Sequence, residues 1–256
     1  MSGPAEETDP GDHTLHVLDR DLAEITALAG EMFDHVVRSI PVCTRALLEL
    51  DLEAAQQVIE SDDRLDHLSI ELEDRCFTFI ALQQPVAGDL RAAVSAIELN
   101  YEIERSGDLV VNIAKAIRRI YGLEFTPRLR ETITKMSGEA QKLFSLAGDA
   151  YSRGDAGLAS ALDDMDDYLD DLNEDLIAAV FDAHETEGMD LQAGVQMALI
   201  GRYYERIGDH AVNIGEKVQF IVNGWRAEHA GAMRYRARLA EGEAKPETGG
   251  AEPDAD

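Results

Sequence analysis

The chain has 256 residues and a formal net charge of −28, with 51 acidic and 23 basic side chains. Such a surface repels the phosphate backbone of nucleic acids and disfavours unassisted adsorption to an anionic membrane, which argues against both as direct partners. It favours cations and basic protein surfaces instead. A high-salt organism or a GC-rich genome is an alternative cause of the charge, since only five of the basic residues are lysine.

Composition favours a helical protein. Hydrophobic residues make up 45% of the chain and aromatic residues only 6%, while Ala, Leu, Glu and Asp dominate. We find no apolar run of the roughly 18 residues that a membrane span needs, and the acidic segment 1–12 is not a signal peptide. Two cysteines, Cys43 and Cys76, are too few for a disulfide framework. We expect a soluble, cytoplasmic, all-α protein.

Apolar residues recur at helical spacing almost throughout the chain and predict six helices. The first starts near Leu15 and continues to about Leu47, and Pro41 inside it predicts a kink or an early break. The other five are predicted at about 53–82, 86–121, 127–153, from 155 to 183, and 189–223. No segment reads as a strand. Both ends of the chain have the composition of disordered tails.

The two halves of the chain are copies of one pattern. LNYEIERSGDLVVNIAKAI (99–117) aligns without gaps with IGRYYERIGDHAVNIGEKV (200–218), and SDDRLDHL (61–68) resembles MDDYLDDL (165–172). About a hundred residues separate the matched positions, which indicates an internal duplication.

Carboxylates with a spacing of four residues recur in both halves. Side chains at this spacing share one face of a helix, where two like charges cost a few tenths of a kcal/mol, so something should offset the repulsion. If neighbouring antiparallel helices are in register, each half gathers about four carboxylates. The candidate metal ligands are Glu104, Asp108, Glu205, Asp209, Asp62, Asp66, Asp166 and Asp170. Oxygen ligands suit hard divalent cations, iron or manganese.

Other assignments remain open at this point. A solvated acidic face is the alternative to a metal site, and the adjacent aspartates 63, 163, 164 and 167 are alternative ligands. Matched glycines in helix interiors, Gly107 and Gly208, indicate close helix packing or space for an ion cluster, because Gly costs about 1 kcal/mol there. We favour close packing of the two, and chance retention after the duplication is the alternative to both. We expect His210 to be an ordinary surface or packing residue. The flanking Arg105 and Arg206 are predicted to form ion pairs that orient the carboxylates, with free surface arginines as the alternative. Asn112 and Asn213 are predicted to bond across helices.

The segments QQPVAGDLRAAVSAIELNYEIERSGDLVVNIA and GRYYERIGDHAVNIGEKVQFIVNG resemble the PhoU family, and the likeness covers about residues 15–225. The resemblance implies two tandem, pseudo-symmetric three-helix bundles, at 14–123 and 124–230, between disordered tails at 1–13 and 231–256. It also implies metal clusters at the repeated E/D-x-x-x-D motifs. The ion is left open among Fe, Mn, Mg, Zn, Ni and Ca.

The function implied by the resemblance is regulatory. Such a protein would restrain phosphate uptake and the phosphate-starvation response as a homodimeric adaptor between the ATPase of a phosphate ABC transporter and a sensor histidine kinase. It would reach the membrane only through these partners and would not be an enzyme. No P-loop, GxGxxG, GxSxG or ExxH motif is present. The alternatives are a metal-dependent helical enzyme and a plain acidic helical scaffold.

Overall fold

The computed structural model describes residues 10–224, with side chains from residue 18 onward. This part of the chain forms six helices and no strand, which confirms the predicted all-α fold with two tandem three-helix bundles. The helices are α1 (Pro10–Glu49), α2 (Leu52–Gln83), α3 (Ala87–Ile117), α4 (Pro127–Arg153), α5 (Ala156–Glu187) and α6 (Leu191–Asn223). None of them combines the length and the apolar character of a membrane span.

The predicted tails fall mostly outside the described residues, namely 1–9 and all of 231–256. The exception is the stretch from Pro10 to 13, which belongs to α1, because proline fits the first turn of a helix. The predicted boundary between the bundles, 123/124, lies in the connection between α3 and α4.

Helix ends follow capping chemistry. An aspartate or threonine side chain accepts backbone N–H groups at the start of four helices: Asp51, Thr126, Asp155 and Asp190. Gly154 and Gly188 end α4 and α5 in the left-handed conformation, at φ 61° and 72°, which only glycine adopts without strain. The predicted end of α5 at 183 is therefore four residues short. The predicted end of α3 at 121 is too long, since the helix ends at Ile117.

Pro41 does not end α1, which continues to Glu49. Proline has no N–H, so the carbonyl oxygen of Val37, four residues earlier, loses its helical donor. The side chain of Gln141 on α4 replaces that donor, with 3.1 Å between Nε2 and the Val37 oxygen. The predicted early break is therefore wrong, because a neighbouring helix satisfies the freed carbonyl group.

The two bundles share one hydrophobic core. Helices α1, α3, α6 and α4 pack around it, with each touching the next, while α2 lies against α1 and α3 and α5 lies against α4 and α6. Buried side chains of all six helices belong to the same cluster. The outer helix α2 carries Asp62 and Asp66, and the outer helix α5 carries Asp166 and Asp170. Each half therefore holds its candidate site between an outer helix and the neighbouring helix of the central layer.

Helix α6 approaches α5 along a row of glycines seven residues apart: Gly194, Gly201, Gly208 and Gly215. A Cβ atom on Gly215 would lie 2.7 Å from the backbone oxygen of Ala159, and one on Gly201 would lie 2.5 Å from Oδ1 of Asn173. Close packing, one of the two interpretations of Gly208, thus extends along the whole helix. The first half has Ala93, Asn100, Gly107 and Ala114 at the matched positions.

Candidate functional site

The first cluster consists of Asp62 and Asp66 on α2 with Glu104 and Asp108 on α3. Asp62 and Glu104 are half-buried, and the other two are exposed. Burial, then the charges of Asp66, Asp108 and Glu104, raise the pKa of Asp62 to about 6. Burial, Asp108 and Asp66 also raise the pKa of Glu104. The four carboxylates therefore lie close enough to repel one another, as expected if α2 and α3 pack in register.

The second cluster consists of Asp166 and Asp170 on α5 with Glu205 and Asp209 on α6. Burial, then Asp170 and Asp209, raise the pKa of Asp166 to about 7, and burial and Asp209 also raise the pKa of Asp170. Of the four alternative aspartates, Asp163 and Asp167 add to the repulsion on Asp166.

Two residues that the sequence analysis did not identify distinguish the second cluster from the first. Arg202 forms an ion pair with Glu205 and approaches Asp209 at 3.8 Å. Asn173 donates its side-chain N–H to the other oxygen of Glu205, at 2.5 Å. In the first half the residue matched to Arg202 is Tyr101, whose hydroxyl group donates a hydrogen bond to Glu73 at 3.0 Å. A signal for Arg202 was present in the sequence, because it lies one helical turn before Glu205.

The donor chemistry of both clusters fits a hard cation, although within residues 18–224 no three such side chains converge as a preformed metal site. Oδ1 of Asp166 is buried without a hydrogen-bond partner. A buried carboxylate oxygen in that state needs a proton or a cation. All eight candidate ligands offer oxygen, which suits Mg²⁺, Mn²⁺, Ca²⁺ or iron better than it suits Zn²⁺ or Ni²⁺.

The two raised pKa values predict how stability depends on pH. Asp62 and Asp166 have folded-state pKa values of about 6 and about 7, above the ordinary value of 3.8 for an aspartate side chain. Their protonation therefore stabilises the fold at low pH, and this contribution is lost as pH rises through 6 and 7. In EDTA, the Tm should fall from pH 5 to pH 8, and Asp62→Asn/Asp166→Asn should flatten that fall. An equal pH dependence in both proteins would contradict the assignment.

A polar cluster between the halves involves His210, which the sequence analysis treated as ordinary. The residue is buried, and its Nδ1 lies 2.6 Å from Oε2 of Glu102 on α3. Asn213 donates to the same oxygen at 3.1 Å, which confirms its predicted bond across helices. Burial opposes ionisation of Glu102, but these hydrogen bonds hold its pKa below the ordinary value.

The predicted roles of the remaining flanking residues find no support. Neither Arg105 nor Arg206 forms an ion pair within residues 18–224, although the charge of Arg105 partly offsets the burial and the carboxylates that raise the pKa of Glu104. Asn112, the counterpart of Asn213, has no side-chain hydrogen bond within the same part of the chain. The two copies of the motif thus share their carboxylates but not their supporting contacts.

Comparison with known proteins identifies the same repeats. Residues 29–117 and 133–218 each match the PhoU domain. The phosphate-specific transport system accessory protein PhoU homolog 1 of Mycobacterium tuberculosis is 37% identical over 204 residues, or 79% of this chain and 91% of the relative. The PhoU homolog of Caulobacter vibrioides is 30% identical over 217 residues, or 83% and 93% of the two chains.

Solved structures agree with these matches. The phosphate transport system regulatory protein PhoU from Streptococcus pneumoniae has a TM-score of 0.75 at 22% identity, covering 82% of this chain and 99% of that protein, and shows the same fold. PhoU from Pseudomonas aeruginosa has a TM-score of 0.68 at 26% identity, covering 84% and 99%. The relatives found by sequence are named as accessory proteins, in accord with the expectation that the chain is not an enzyme. With two PhoU domains over most of its length, this chain belongs to the PhoU family.

Proposed function

We propose that this protein is a metal-binding accessory protein of a phosphate-specific transport system, which restrains phosphate uptake and the phosphate-starvation response. Its relatives carry the name of such an accessory protein, which supports the association with a transporter. The finer proposal is an adaptor, in the cytoplasm and as a homodimer, between the transporter ATPase and a sensor histidine kinase.

The observation that carries the metal-binding part is the repeated carboxylate cluster. In both halves an outer helix and a central helix bring four carboxylates together, and burial together with their mutual repulsion raises the pKa values of Asp62 and Asp166. A divalent cation would remove that repulsion. The first cluster would hold it through Asp62, Asp66, Glu104 and Asp108, and the second through Asp166, Asp170, Glu205 and Asp209.

Exposed apolar side chains at the hairpin between α5 and α6 support docking on a partner. Phe181, Leu191 and Val195 are 64%, 71% and 51% exposed, and they line an apolar groove together with Ile177 and Val180. The hairpin between α2 and α3 repeats the feature, with Phe77 54% and Val86 75% exposed. Exposed apolar surface of this kind is typical of protein–protein contact sites.

A pull-down from phosphate-replete cells tests the proposal. Wild type is compared with Glu104→Ala/Asp108→Ala/Glu205→Ala/Asp209→Ala, and the metal content of the same samples is measured. We expect wild type to recover the transporter ATPase or the sensor kinase and to contain bound metal. The variant should lose its metal, because each cluster would keep only two of its four carboxylates.

A matched control replaces with alanine four exposed carboxylates that lie outside both clusters and away from the two apolar hairpins: Glu31, Asp34, Glu49 and Glu53. This control alters the net charge equally and should keep both the partners and the metal. Recovery of neither partner by wild type would contradict the regulatory role. Equal metal content in wild type and the cluster variant would contradict the site assignment.

A further inference from the structure

Within residues 18–224, an arginine side chain pairs with carboxylates of the second cluster. The positive charges that act on the first cluster, Lys115 on Asp62 and Arg105 on Glu104, form no ion pair there. The guanidinium group of Arg202 lies against Glu205 and 3.8 Å from Asp209. Its charge partly offsets the burial and the neighbouring carboxylates that raise the pKa of Asp170. A positive group in contact with two carboxylates and close to a third occupies the region where a metal ion would be held. Glu205 is therefore fully engaged, since Asn173 binds its remaining oxygen.

The duplicated first half lacks both of these contacts. Tyr101 stands in place of Arg202, is 51% exposed and turns away to Glu73. Ser69 stands in place of Asn173. Glu104 has no hydrogen bond or ion pair within residues 18–224, although it holds the position matched to Glu205. The same four carboxylates thus stand in two electrostatic settings within one molecule.

We propose that Arg202 is an internal counter-cation which makes the two clusters unequal, so that a divalent cation fills the first cluster at lower concentration than the second. The inference deepens the metal-binding part of the proposed function and rests on it. To enter the second cluster, the ion must displace the guanidinium group from Glu205 and Asp209. In the first cluster it meets carboxylates with no competing cation in contact.

Arg202 reduces the repulsion among the carboxylates of the second cluster, and this lowers the affinity of that cluster for a metal ion relative to the first. A metal ion gains less from a cluster whose charge is already partly neutralised, and it is repelled by the guanidinium group that it must move. Arg202 remains charged at every physiological pH. The inequality therefore does not depend on protonation, and it should diminish as salt screens the exposed part of the pair.

Calorimetric titration of Mn²⁺ into the metal-free full chain tests the proposal. The variant Glu104→Gln/Asp108→Asn disables the first cluster, so that binding reports on the second. Adding Arg202→Gln to this protein should raise the Mn²⁺ affinity about tenfold or more, as expected for removal of a unit charge at contact distance. Adding Arg38→Gln, whose arginine pairs with Asp34 on α1, changes the net charge equally and should alter the affinity less than about twofold.

The reciprocal substitution uses the duplication. In a Glu205→Gln/Asp209→Asn background, Tyr101→Arg should lower the Mn²⁺ affinity of the first cluster by a similar factor. Circular dichroism checks that each variant is folded. Mn²⁺ binding with equal affinity in the two clusters and no effect of Arg202→Gln would overturn the role of Arg202 while leaving metal binding intact. Absence of Mn²⁺ binding in every protein, Arg202→Gln included, would overturn the metal-binding function itself.

Discussion

Replacement of Tyr204 by alanine is expected to lower the free energy of unfolding by about 3–5 kcal/mol. Tyr204 on α6 is fully buried, and its hydroxyl lies 2.7 Å from Oγ1 of Thr44 on α1. Thr44 also contacts the hydroxyl of Ser137 on α4 at 2.7 Å. Alanine would leave a large cavity where three helices of the central layer meet, and it would remove the hydrogen bond of a buried hydroxyl.

A second substitution separates these two causes. Tyr204→Phe keeps the ring and removes only the hydroxyl, so we expect a loss of about 1–3 kcal/mol. Tyr121→Phe is the control, because Tyr121 is 68% exposed and should change stability by less than about 0.5 kcal/mol. Chemical denaturation monitored by circular dichroism measures all three proteins. A loss below about 1 kcal/mol for Tyr204→Ala would show that the buried site is not as closely packed as described.

Substitution of Gly215 by alanine should destabilise the protein by about 1–3 kcal/mol, even though alanine is the better helix former. The added Cβ would lie 2.7 Å from the backbone oxygen of Ala159 and 3.1 Å from Cδ1 of Leu162. A backbone atom cannot rotate away, so α5 and α6 must separate. At this chain length the Tm should fall by roughly 2–4 °C for each kcal/mol.

The matched control for Gly215 is Gly138, which lies inside α4. No atom lies within 4 Å of a Cβ built there, so Gly138→Ala should stabilise the protein by up to about 1 kcal/mol through helix propensity alone. Opposite signs for the two substitutions would establish the close approach of α5 and α6. If Gly215→Ala raised the Tm as Gly138→Ala does, the glycine row would have no packing role.

Local signals in the sequence predicted the elements of this fold well. Pro127 and Gly154 mark the ends of α4 at the predicted residues, because proline and glycine act through their own backbone geometry. The four-residue spacing of Glu104 and Asp108 correctly placed both on one face. The early break predicted as one of two outcomes for Pro41 does not occur, since the group that replaces the missing donor, Gln141, belongs to a helix about a hundred residues later.

The repeat pattern could not predict side-chain contacts between helices that occur in only one half. The alignment equates Glu102 with Tyr203 and His210 with Leu109, so comparison of the halves gave no hint of the Glu102–His210 pair. Asn173 escaped notice for the same reason, since the matched Ser69 lacks its chemistry. Arg202 contacts Glu205 within α6, so its spacing was visible in the sequence, but the matched Tyr101 gave no repeated pattern to draw attention to it. A repeat reveals what its two copies share, whereas these contacts are the ones in which the copies differ.

The two acidic sites can diverge from one another because both bundles belong to one chain. Two identical half-chains packed in this way would form a symmetric dimer, and any substitution would appear in both copies at once. Here both halves lie on one chain around one core, so a residue can change in one copy alone. Arginine at position 202 and tyrosine at position 101 are such a divergence. Covalent fusion has thus released the two acidic sites from the requirement to be alike.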